Sequence, residues 1–239
     1  MDYIKRLSLT GSICGVTGSI IFLVVAGLIE QLYWQPRFQV MVKTTGDFLS
    51  LLGDTPYSQI SMGTHLLGAF ALLLLAVGFI GLYKLLSIDK KKVSVTIGSV
   101  LGILACSIMV EMAIIQGSVV NKMSTLYLNS SAEDQGGVVN LYRGLKSLEF
   151  GMDIGFDFFF FSAWILLAFA MLKHKSIGKI IGFIGLILFI LTAALNIWAA
   201  PNPPSLELSP LCCLWILAVY IQALRISLKI PTASNHHVI

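Results

Sequence analysis

Six stretches of the sequence are apolar almost without interruption: about Leu9 to Ile29, His65 to Leu86, Val93 to Gln116, Asp153 to Leu172, Ile177 to Ala199 and Leu208 to Leu228. Each is close to the roughly 20 helical residues needed to cross about 30 Å of hydrocarbon. None alternates as a membrane-barrel strand does, and each is about twice the length of one. Backbone in lipid must satisfy its own hydrogen bonds, so the runs are expected as helices. Composition agrees, because 56% of the 239 residues are hydrophobic, only 12% are charged and mean hydropathy is +0.87, outside the range of soluble domains. The expected fold is all-α: a polytopic membrane protein with six transmembrane helices, forming a single domain over residues 1–239.

Basic residues set the expected orientation, since Lys and Arg are retained on the cytoplasmic side. With the N-terminus inside, Lys5, Arg6, Lys84, Lys90 to Lys92, Lys173, Lys175, Lys179, Arg225 and Lys229 all fall in inner segments, 11 of the 16 basic residues. Both termini are therefore expected in the cytoplasm. The net charge of +4 is a topology signal, and no basic groove with interleaved aromatics points to nucleic acid. Lys5 and Arg6 precede the first run as in a secretory signal, but the run is too long for one and no small-x-small cleavage site follows. Cys14, Cys106, Cys212 and Cys213 fall in or at the edge of spans and read as small packing residues.

The inner connections, Ser87 to Lys92 and Lys173 to Ser176, are short and make helical hairpins. Of the outer ones, "APNPPSLE" is a tight Pro-rich turn, whereas Glu30 to Thr64 and Gly117 to Met152 are long enough for structure of their own. Phe38, Met41, Val42, Thr45, Phe48, Leu49 and Leu52 recur at helical spacing between Pro36 and the Gly53 to Pro56 turn, predicting an amphipathic helix. Val138, Leu141, Tyr142, Leu145 and Leu148 predict a second, starting after Gly136-Gly137 and running unbroken into the fourth span. Gly11, Gly15 and Ser19, Gly98 and Gly102, and Gly178 and Gly182 are small-xxx-small patterns, expected as packing grooves between helices.

Carboxylates in so apolar a chain demand an explanation. Glu149, Asp153 and Asp157 are four residues apart and lie on one helical face, with Asp157 about 6 Å deeper than Asp153. Glu111 lies about 7–8 Å below the outer end of span three, Asn196 is near the outer end of span five, and His65 opens span two. His65, Glu111, Asp153, Asp157 and Asn196 thus share the outer third of the membrane. An ionised acid facing lipid costs about 2.5–3.5 kcal/mol near the bilayer centre, so Glu111 and Asp157 are expected to face the interior or water. The reading is an outward-facing polar pocket among spans two to five, covered by the amphipathic outer helices. Plainer roles stay open: Asp153 as an interfacial anchor, Asn196 as a helix–helix hydrogen bond and His65 as an interfacial residue. Lys146 is placed to reach Glu149 three residues on.

"GMDIGFDFFFFSAWILLAFAMLKHKSIGKIIGFIGLIL", Gly151 to Leu188, resembles the uncharacterised bacterial six-span membrane family known as domain of unknown function 4386. The resemblance lies in the Asp153-Ile154-Gly155 step of an aromatic-rich span, the basic turn Lys173 to Lys175, and the Ile180-Ile181-Gly182 start of the next span. "VEMAIIQG", Val110 to Gly117, is similar to that family's third span. The chain departs from the family at Ile108, where a basic residue one turn before the acid is usual. The resemblance implies a bacterial inner membrane protein with six helices and no established activity.

Three functional classes stay open. One is binding or transport of a small molecule or lipid, another a structural or regulatory partner of a second membrane protein, and the third an intramembrane metal-dependent hydrolase. The last is the weakest, because a zinc site needs three protein ligands and only His65 is well placed, with His174 in a turn and His236 and His237 in the tail. No Walker, dinucleotide or G-x-S-x-G motif has a suitable context. No cofactor, metal or nucleic acid partner is expected; the expected partners are membrane lipids, a small-molecule ligand, and a second copy or another membrane protein.

Overall fold

A computed structural model describes residues 2–25, 29, 40–54, 56–88, 93–174, 177–199 and 208–231. All regular structure among them is helical: α1 (Asp2–Phe22), α2 (Thr45–Gly53), α3 (Tyr57–Leu86), α4 (Val93–Ile114), a π-helical turn (Ile115–Val120), α5 (Asn121–Asn129), α6 (Ala132–Met171), α7 (Lys179–Ala199) and α8 (Ser209–Lys229). Six rods are long and apolar enough to cross a membrane: Tyr3–Val25, Tyr57–Leu86, Val93–Asn129, Ala132–Met171, Lys179–Trp198 and Ser209–Lys229. The chain is an all-α, multi-pass membrane protein. The Pro-rich turn at 200–207, Phe38 of the expected amphipathic helix, Lys90 to Lys92, and His236 and His237 lie outside the described residues.

The rods pack as a ring in the order α1, α3, α4, α6, α7, α8 and back to α1, with α7 and α8 sharing the slightest contact. Small residues permit the closest crossings. Gly11 of α1 faces Gly81 of α3 so tightly that a Cβ on Gly81 would lie 2.7 Å from the Gly11 Cα, and a Cβ on Gly98 would lie 3.1 Å from the Ala163 carbonyl oxygen of α6. Lipid supplies no hydrophobic drive between helices, so close van der Waals approach of this kind is a main source of cohesion. Gly178 differs from the other pattern glycines. It meets no neighbour within 4 Å and has φ +95°, so it serves the turn before α7 and not a groove.

Large rings fill the ring's axis. Trp164 of α6 lies 5.0 Å from Phe79, 5.9 Å from Phe189, 5.5 Å from Trp215 and 6.1 Å from Tyr220, between centroids. Trp164, Phe79, Phe189 and Tyr220 are fully buried. Glycines make room for them: a Cβ on Gly15 or Gly78 would meet the Tyr220 ring, one on Gly102 the Phe79 ring, and one on Gly185 the Trp215 ring. The Trp215 indole N–H donates to the Ile181 carbonyl at 3.0 Å.

Helix extends past two of the expected boundaries. Span three passes Gln116 through the π-helical turn into α5, and α6 begins at Ala132, ahead of Gly136-Gly137. Its start is set by Ser131, whose hydroxyl accepts from the Asp134 amide at 3.3 Å. The two glycines cost about 1 kcal/mol each within a helix, and tertiary packing just beyond them offsets this. Val138 and Tyr142 are buried there in a second core with Leu49, Leu52, Val120 and Met123. Spans three and four are 37 and 40 residues long, about 55 and 60 Å, so their hairpin tip stands well beyond about 30 Å of hydrocarbon. With α2 and the first turns of α3 the projecting part forms a cap.

The amphipathic helix expected from Pro36 onward is found as α2, starting at Thr45. Thr44 and Asp47 make a capping box: the Thr44 hydroxyl accepts from the Asp47 amide at 3.1 Å, and Asp47 accepts from the Thr44 and Lys43 amides at 2.8 and 3.0 Å. These bonds, those from Thr44 first, hold the exposed Asp47 carboxyl below its ordinary value.

Gly81→Val forces α1 and α3 apart and should lower unfolding free energy in detergent by about 1–3 kcal/mol. Gly63→Ala, at a helical position where a Cβ meets nothing within 4 Å, should raise it slightly. Because Asp47 has a depressed folded-state pKa, its contribution is present above the unfolded carboxylate value and lost as pH falls through the folded one. Wild type should melt above Asp47→Asn at about pH 6, and the gap should narrow by about pH 3. A gap that widens on acidification would refute the assignment.

Candidate functional site

Asp157 and Asn196 are brought together. Asp157 stands on α6 and Asn196 in the last turn of α7, and the Asn196 Nδ2 donates to Asp157 Oδ2 at 3.1 Å. The pair borders a cavity of about 140 Å³ between α1, α3, α6, α7 and α8. Phe22, Leu72, Leu75, Phe156, Phe160, Phe161 and Ile216 make its apolar wall, and Ser19, Ser209, Cys212 and Cys213 add smaller polar groups. Phe160 also touches the axial aromatic core, 6.2 Å from Trp164, so the cavity sits against that core. The phenylalanine run is thus split by helical geometry: Phe158 is 68% exposed on the outer surface, while Phe160 and Phe161 wall the cavity.

The five-residue cluster expected from depth is not assembled around this cavity. Glu111 is exposed on α4 and does not line it, contrary to the inward placement expected. The reason is azimuth: α4 turns Gly98, Gly102, Ala105 and Cys106 inward, which leaves position 111 on the outward side. His65 is half-buried at the cap and bonds its own helix, with Nδ1 2.7 Å from the Ser61 carbonyl oxygen. Its Cβ lies against Gly117 of the π-helical turn, 3.0 Å from where a glycine Cβ would be. Asp153 is exposed, one turn along α6 from Asp157. The cavity also uses α1 and α8, which depth had not singled out.

Glu149 is the buried member of the acidic stripe, only 4% exposed. Its Oε2 accepts from Lys146 Nζ at 2.6 Å, the contact expected from spacing, and from Gln116 Nε2 at 3.4 Å. Its Oε1 has no partner among the described residues. Gln116 belongs to the π-helical turn, and Asn121 just beyond donates to the Ser58 carbonyl of α3 at 3.1 Å. The turn is therefore pinned to α6 on one side and α3 on the other. Among the described residues no three His, Cys, Asp or Glu side chains converge as a metal site requires. All four cysteines are free thiols.

Fold and site together define a multi-pass helical membrane protein with a small, mostly apolar cavity holding one carboxylate–amide pair. Comparison with protein-family models, curated proteins and solved structures finds no match for the chain.

Lys146 is half in solvent and Glu149 is not, so removing the lysine leaves a buried carboxylate with one weak partner. Lys146→Ala should therefore cost about 1–3 kcal/mol of unfolding free energy in detergent. Glu149→Gln, which removes the charge but keeps the shape, should cost less. Equal or reversed costs would show that the pair is not what holds Glu149 in place.

Proposed function

We propose that this protein binds a small amphipathic molecule, a lipid or hydrophobic solute with a polar head, in the cavity beside the axial core. The Asp157–Asn196 bond at 3.1 Å within an otherwise apolar wall is the observation that carries this reading. A few convergent polar groups in an apolar concavity are the usual makings of a small-molecule site. An ionisable group held among membrane helices is costly unless it has a role, and it most often marks a ligand or ion path. In this reading both termini face the cytoplasm. Support comes from Lys5, Arg6, Lys84, Lys173, Lys179, Arg225 and Lys229, which cluster at the bundle end away from the cap. The resemblance of Gly151 to Leu188 to the bacterial six-span family favours the bacterial cytoplasmic membrane and supplies no activity.

A second reading, a partner of another membrane protein, is favoured by a separate observation. Leu126, Leu128, Leu141 and Leu148 on the cap hairpin are 52%, 42%, 63% and 58% exposed. Apolar patches beyond the hydrocarbon often mark protein contacts.

Labelling separates the two. In a cysteine-free chain carrying Ser209→Cys at the cavity wall, benzyl alcohol should slow modification by N-ethylmaleimide in vesicles several-fold. Using Cys213→Trp in place of the small substitution that otherwise removes that thiol fills the cavity and should abolish that protection. No protection, or equal protection in the filled variant, overturns the binding reading. The partner reading instead expects Leu141→Glu with Leu148→Glu to reduce the size of the detergent-extracted complex while leaving labelling unchanged.

A further inference from the structure

The oxygen chemistry of the cavity narrows its ligand, and we infer that the occupant is a protonated organic amine with a short apolar body. This rests on the cavity being a binding site, as argued above. Asp157 Oδ2 is engaged by Asn196, while Asp157 Oδ1 and Asn196 Oδ1 have no other hydrogen-bond partner among the described residues. Ser19 spends its hydroxyl proton on the Gly15 carbonyl at 2.7 Å and is left with lone pairs only. The cavity thus offers oxygen acceptors from α1, α6 and α7, one of them a carboxylate.

Among the described residues no Lys, Arg or His lines it. A phosphate or carboxylate head would meet the Asp157 charge with no cation to balance it. A bare calcium ion takes about six to eight oxygens, more than these residues supply. An ammonium group carries three N–H donors, which suits three acceptors, and a charge-assisted bond to a carboxylate is among the stronger hydrogen bonds. Phe156 and Phe160, stacked on each other at 4.9 Å, pack an apolar body. Size sets the body, since a cavity near 150 Å³ is known to take benzene, and this one is about 140 Å³. A single six-membered ring or a short branched chain fits within it.

The test uses the full chain, cysteine-free with Ser209→Cys, in vesicles at neutral pH. Benzylammonium, benzyl alcohol and benzoate share one ring and differ in head, and each is titrated against N-ethylmaleimide labelling. Benzylammonium should reach half-maximal protection at a concentration at least tenfold below benzyl alcohol, and benzoate should protect least. Asp157→Asn should bring benzylammonium to the level of benzyl alcohol measured in the same variant, and a cooperative melt with a single monodisperse elution peak in detergent shows that the variant is folded. Equal potency of amine and alcohol, stronger protection by benzoate, or full amine preference in Asp157→Asn each overturns the amine assignment and leaves the cavity reading standing. Protection by none of the three overturns both.

Discussion

The axis of this bundle can hold Phe79, Trp215 and Tyr220 around Trp164 only because the helices opposite those three rings lack a Cβ where they press in. Tyr220 lies in the notch of Gly15 and Gly78, Phe79 against Gly102, and Trp215 against Gly185. Ring and notch come from different helices in every case, so each fit fixes the rotation of two rods at once. In a medium where tails are as apolar as leucine, such shape matching stands in for the hydrophobic drive of soluble cores. The aromatic core is also costly to disturb, since removing a buried ring of this size typically destabilises by about 3–5 kcal/mol.

The cavity follows from this arrangement. Beside the axial rings, Ser19, Cys213 and Asn196 are smaller groups that leave space between the helices. Its floor is the buried aromatic core and its wall includes the Asp157–Asn196 bond. A ligand there would meet a preformed surface, with little ordering of side chains needed on binding.

Much of the fold was legible because hydropathy at span length is a one-dimensional signal. Six rods, their small-residue faces and the Lys146–Glu149 contact all depend on spacing along one helix. The site was less legible because depth is readable from sequence and azimuth is not. Glu111 and Asp157 share a level, yet Gly98, Gly102 and Ala105 claim the inward face of α4 and turn Glu111 away. Asn196 and Asp157 do meet, across two different helices, which no local pattern could fix. One helix boundary differed for another reason: Gly136-Gly137 looked like a helix start, but Ser131 supplies the cap and buried Val138 and Tyr142 hold the glycines in helix. Three cavity-lining positions, Ser19, Cys212 and Cys213, passed as packing residues, since small polar side chains do both jobs.

The π-helical turn at Ile115–Val120 carries a geometric consequence of its own. A wide turn accommodates one residue more than an α-helix would over the same rise, so everything after it is phased by about 100° from an uninterrupted rod. That offset directs Val120 and Met123 toward Leu49 and Leu52. The hairpin tip and the membrane bundle are therefore clocked relative to each other by a single residue. An insertion or deletion in the wide turn would unscrew the cap from its seat.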